Sequence, residues 1–122
     1  MFANVDSCAQ STEAQAPQNV IATLNDAFRR SGDGGKLVVT AGVIGLGRHA
    51  FPAIFDQVRH FDAFDAGNDP YYEHDFGALD WRGTPVFWKI DYYDKDMTGG
   101  SPDPADPAVT TRVLTIMLAS EY

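Results

Sequence analysis

The sequence predicts an α+β fold, a single domain in which three helices pack with a small, mostly antiparallel three-stranded sheet in the order α-β-α-β-β-α. Three observations predict it. Apolar residues recur at helical spacing in Ile21-Leu24-Ala27-Phe28 and again in Phe51-Ile54-Phe55-Val58-Phe61. Two β-rich runs, Glu73 to Trp81 and Thr84 to Tyr93, meet across Arg82-Gly83 at the spacing of a two-residue hairpin. Finally, 122 residues that are 44% apolar suffice for one domain with a buried core.

Each element has its own signal. Residues 1–16 are polar and lack periodicity, which predicts a flexible arm ahead of a single domain over 17–122. Pro17 opens the first helix, and Gly32, Gly34 and Gly35 close it after Arg29 and Arg30, whose charges suit the last turn. Lys36 to Ala41 reads as a central strand, followed by the glycine loop Gly42 to Gly47. That loop has the strand-to-helix setting of a phosphate cradle, but G-x-x-G-x-G is neither the dinucleotide fingerprint nor a P-loop, so a structural turn is expected.

The second helix is expected from His49 to Phe61, with Pro52 tolerated in its first turn. Gly67-Asn68-Asp69-Pro70 breaks the chain before the hairpin. In the second hairpin strand Val86, Trp88, Ile90 and Tyr92 form the core face, and Phe87, Lys89, Asp91 and Tyr93 the outer one. The prolines of residues 101–107 exclude regular structure. Asp106-Pro107 then reads as the N-cap and first residue of a last helix burying Val109, Val113, Ile116 and Met117.

Charge is the strongest compositional signal. The net charge is −8, and residues 1–60 are balanced, so the excess lies entirely in the second half. Eleven of its acids fall between Asp62 and Asp106, and all but Glu73 are aspartates, the residue type of turns and strand ends. Such a balance excludes a protein that grips a phosphate backbone with a basic surface. A single cysteine, Cys8, excludes an intramolecular disulfide, no apolar run is long enough for a membrane span, and the first residues lack a signal-peptide pattern. The expected location is therefore the cytoplasm.

Catalytic signals are sparse. His74, Asp75, Asp91 and Asp94 lie at neighbouring ends of the two hairpin strands, where one imidazole and several carboxylates would suit a divalent metal and a small metal-dependent hydrolase. No paired-histidine or C-x-x-C motif supports them. Cys8 sits in the presumed arm, and no serine has a nucleophile-elbow context. A further cofactor is not expected.

His74-Asp75-Phe76-Gly77, the stretch Phe87-Trp88-Lys89-Ile90-Asp91-Tyr92-Tyr93-Asp94 and the C-terminal SPDPADPAVTTRVLTIMLASEY together resemble a bacterial family of small proteins of unknown function. The resemblance runs over roughly residues 19–122. Members are met mainly in alphaproteobacteria and on plasmids or other mobile elements. It implies no activity, cofactor or catalytic residue; it implies a setting in which small acidic proteins blunt host defence.

The expected function is therefore a non-catalytic interaction protein, in its sharpest form a nucleic-acid mimic that inhibits a restriction or CRISPR nucleoprotein. Asp65, Asp69, Glu73, Asp75, Asp91, Asp94, Asp96 and Asp103 would meet a basic groove on a protein partner, with Tyr71, Tyr72 and Tyr93 as aromatic anchors. Neither nucleic acid nor a membrane is an expected partner. The alternatives are the hydrolase above and an accessory protein that oligomerises through its aromatic face.

Overall fold

A computed structural model describes residues 17–122. The arm expected over residues 1–16 lies outside the described residues. Helix α1 runs Pro17–Ser31, strand β1 Gly35–Val39, a short helix α2 Ala41–Ile44, helix α3 Ala50–Arg59, β2 Phe76–Trp81, β3 Thr84–Tyr93 and β4 Thr111–Leu118, with a 3-10 turn over Ala119–Glu121. The class is α+β, but the sheet has four strands in the order β1-β4-β3-β2.

The last helix expected after Asp106 is instead β4, the strand at the sheet's centre, antiparallel to β3 and parallel to β1. Asp106 caps a turn: its carboxylate accepts from the Ala108 N–H at 2.9 Å. Arg112, Val113, Leu114, Ile116 and Met117 are all buried, so the run is apolar on both sides because flanking strands and both faces enclose it. A helix with that width of apolar surface would have needed a core on every side. Consequently β1, expected as central, is an edge strand, with Leu37 and Val38 exposed.

Helices α1 and α3 pack on one sheet face. The core there comprises Phe28, Val43, Ala50, Ile54, Val58, Val86, Trp88, Ile90, Leu114 and Ile116. Burying a side chain of this size contributes about 1.5–3 kcal/mol. The core face expected for β3 is observed, with Val86, Trp88 and Ile90 buried. The Arg82-Gly83 hairpin is also observed: φ is 49° and 88°, as a type I′ turn requires, and the Gly83 N–H donates to Asp80 at 2.9 Å.

Helix α1 is rotated from its expected face. Ala27 is exposed, whereas Asn25 and Arg29 are fully buried between Ile21, Ala22 and Phe28. The Arg29 guanidinium donates to the Val58 and Phe61 carbonyls at 2.7 and 2.9 Å and to Asp26 at 2.8 Å. It thereby satisfies the open end of α3, the neighbouring helix, rather than that of its own.

Candidate functional site

Strand register decides where the carboxylates lie. Phe76 pairs with Lys89, and Tyr93 pairs with Thr111. The loop entering β2 and the loop joining β3 to β4 therefore leave the sheet at the same end. One carries Asp65, Asp69, Glu73 and Asp75; the other follows Asp91 and carries Asp94, Asp96, Asp103 and Asp106.

Within this end the aspartates build their own loops. Asp65 accepts from the Gly67 and Asn68 N–H groups at 2.8 and 3.1 Å, and Asp69 from those of Glu73 and His74 at 2.9 and 3.0 Å. Asp94 accepts from the Thr98 N–H and hydroxyl, and Asp103 from the Ala105 N–H. These backbone bonds hold the Asp94 carboxyl below the usual carboxylate range. They leave the charges in place. Of the eight acids singled out in the sequence, only Asp91 forms an ion pair with a lysine or arginine among the described residues, at 2.9 Å to Lys89.

Asp75 registers the crowding. Burial pushes its carboxyl above the ordinary value, and the charges of Glu73, Asp69 and Asp91 add to the rise. Asp69 is 3% exposed, Asp65, Asp96 and Asp103 are exposed, and Glu73 accepts from the Tyr92 hydroxyl at 2.8 Å. Tyr71 and Tyr72 stand out at 72% and 66% exposure. Tyr93 lies apart from them, half-buried on the outer sheet face across from Thr111.

The four residues weighed as a metal centre are not brought together as a set. A φ of 56° at His74 breaks the strand alternation and turns its ring to α1. There Nδ1 lies 3.1 Å from both Asp26 oxygens, Nε2 lies 3.7 Å from Asp69, and the ring stacks on Phe64 at 4.0 Å. Asp91 holds Lys89 and Asp94 holds its own turn. Among the described residues no group of three or more His, Cys, Asp or Glu side chains is gathered as a metal ion would need.

Beside His74 lies a cleft of about 150 Å³ lined by Phe64, Asp65, Ala66, Asp69, Tyr72 and His74. It contains the Asp–His pair but no hydroxyl or thiol suited to nucleophilic attack beyond the Tyr72 phenol. Tyr72 also has a positive φ, 59°. Two non-glycine residues of this loop, Tyr72 and His74 on either side of Glu73, thus hold left-handed backbone that costs about 1–3 kcal/mol each and persists only where surrounding contacts enforce it.

Sequence reasoning missed Asp26, Asn25, Arg29 and Arg112. Arg112 donates to Asn25 at 2.7 Å and to the Pro104 carbonyl, while Asn25 donates to the Tyr92 hydroxyl and the Glu73 carbonyl at 2.8 and 2.9 Å. The available signal was the β-branched Thr110-Thr111-Arg112-Val113 lead into an eight-residue strand, which favours a strand over a helix. In the glycine loop the chain's own Glu121 takes the place of a bound anion, bonded to the Thr40 hydroxyl at 2.6 Å and the Gly42 N–H at 3.1 Å.

A family model described as "Protein of unknown function (DUF3768)" matches residues 39–121, well over half of the chain. No curated protein and no solved structure matches it. No helix among the described residues is long and apolar enough to cross a membrane.

Proposed function

The chain belongs to the DUF3768 family, and from the geometry above we propose that it is a non-catalytic binding protein whose acidic sheet end docks against a basic groove of another protein. One observation carries this reading: two loops deliver their carboxylates to one end of the sheet, and among the described residues all but Asp91 of the eight acids singled out lack a lysine or arginine partner. Concentrating like charge costs stability, and that cost is offset when a positive surface arrives. Tyr71 and Tyr72 supply exposed aromatic area beside the charge, the composition of interface anchors.

In its sharper form, the carboxylates stand in for phosphates and the partner is a nucleic-acid-binding effector of host defence. The resemblance to proteins of mobile elements directs the reading there. The hydrolase alternative has no gathered ligand set among the described residues to support it.

The test uses substitutions that spare the turns. Asparagine keeps an Asx turn while removing the charge, so Asp65→Asn, Asp94→Asn and Asp103→Asn are combined with Asp96→Lys. The wild-type chain should capture a basic nucleic-acid-binding protein from a nuclease-treated bacterial lysate at low salt, release it at high salt, and lose it to competing duplex DNA. The quadruple variant, folded by circular dichroism, should capture none. Binding that persists at high salt and in the variant would sink the proposal; a chain that light scattering finds only self-associated would favour the accessory-protein alternative.

A further inference from the structure

The acidic loops leave one edge of the same sheet end differently charged. Between the starts of β1 and β4 opens a cleft of about 410 Å³ lined by Gly34, Lys36, Lys95, Pro107, Thr111 and Arg112, among others. A second cleft of about 180 Å³ adjoins it and shares Gly34, Pro107 and Arg112. Among the described residues neither Lys36 nor Lys95 is in an ion pair, although the chain carries an excess of eight negative charges.

Arg112 is the more telling of the cations. It is 3% exposed, and its hydrogen bonds go to a neutral amide and a backbone carbonyl, with no carboxylate in contact. Burial lowers its pKa. The charge of Glu73 favours this cation only at longer range, and an anion seated in the cleft would supply the direct counter-charge that a buried guanidinium otherwise lacks. Gly34, at φ 105° and with open space where a Cβ would stand, lets backbone approach a ligand closely. Asp33 lines only the adjoining cleft, so an anion would seat on the Lys36–Lys95 side.

We propose that this cleft binds a small phosphorylated molecule of mononucleotide size, its phosphoryl group held by Lys36, Lys95 and Arg112. Three cations around one site match a phosphoryl group, which carries roughly −1.5 to −2 charge at neutral pH, better than a single carboxylate. The volume falls within the range of about 300–1,000 Å³ seen for small-molecule clefts and exceeds what bare phosphate needs. Lys95 stands between Asp94 and Asp96 of the acidic docking surface, but this site rests on the cations and that surface on the carboxylates, so failure of either reading leaves the other standing.

Isothermal titration of the full chain with AMP, inorganic phosphate and adenosine, in low-salt buffer free of phosphate, tests it. AMP should bind at one site, phosphate at least about tenfold more weakly, and adenosine not at all. The exposed pair Lys36→Ala/Lys95→Ala should weaken AMP about tenfold or more without changing the circular-dichroism spectrum. Lys89→Ala, which removes a lysine already paired with Asp91, should bind AMP like the wild type. No saturable binding of AMP or phosphate, or AMP binding unchanged in the double variant, would overturn the site. Phosphate binding as tightly as AMP would overturn the assigned ligand size.

Discussion

Asn25 and Arg112, 87 positions apart in the chain, meet at 2.7 Å beneath the sheet end, where both are buried. Their bond joins α1 to the central strand, and through Tyr92 and Glu73 it reaches the loop that carries the acidic surface. Asn25→Ala leaves the Arg112 guanidinium without its side-chain acceptor and the Tyr92 hydroxyl without a donor. A loss of about 2–4 kcal/mol of unfolding free energy is expected in urea titration.

Trp88 pairs with Gly77 across β2 and β3, and a Cβ at Gly77 would overlap the indole nitrogen and crowd Phe61 at 2.9 Å. The neighbours are themselves packed, since Phe61 and Phe64 stand edge-on to the same indole. Gly77→Ala should destabilise by about 1–3 kcal/mol, with a shift in tryptophan fluorescence reporting the displaced ring.

Tyr72 separates folding from binding. Its exposed side chain is held on left-handed backbone, so Tyr72→Gly removes strain worth about 1–2 kcal/mol, partly offset by greater freedom of the unfolded chain. The expected result is a stability unchanged or raised together with weaker partner capture. A β-branched residue at the same position, Tyr72→Val, should lower the melting temperature.

Two carboxylates should give opposite pH signatures. Bonds to the Thr40 hydroxyl and to the Leu118 and Gly42 N–H groups hold Glu121 below its ordinary value, so its contribution is present above the unfolded value and lost as pH falls through the folded one. Glu121→Gln should therefore flatten the acid limb of the stability profile. Asp75 is raised, by burial first and by Glu73, Asp69 and Asp91 after it, so the stability linked to its protonated form is lost as pH rises through the folded value. Asp75→Asn should raise stability at neutral pH. Chemical denaturation between pH 3 and pH 7 reads both.

Much of the local structure was legible from residue pattern. The 3.6-residue stripe of Ile54 and Val58, the two-residue hairpin at Arg82-Gly83 and the alternation of Val86, Trp88 and Ile90 are each set by neighbours a few positions away, and each is observed. The C-terminal run was not legible in the same way. Period alone does not separate a helix from a doubly buried strand in a mostly apolar segment such as TRVLTIML, and the presence of β1 and β3 on its two sides settles the matter for β4.

The sequence by itself determined the charge, its confinement to aspartate-rich loops, the hairpin and the α+β class, because composition and short-range periodicity carry that information. Only the tertiary structure decided that Asp26 rather than Asp91 or Asp94 faces His74 and that Arg112 is buried beside Asn25. Those relations depend on strand register and on the backbone hand at single residues such as His74, which are fixed by contacts between segments distant in the chain.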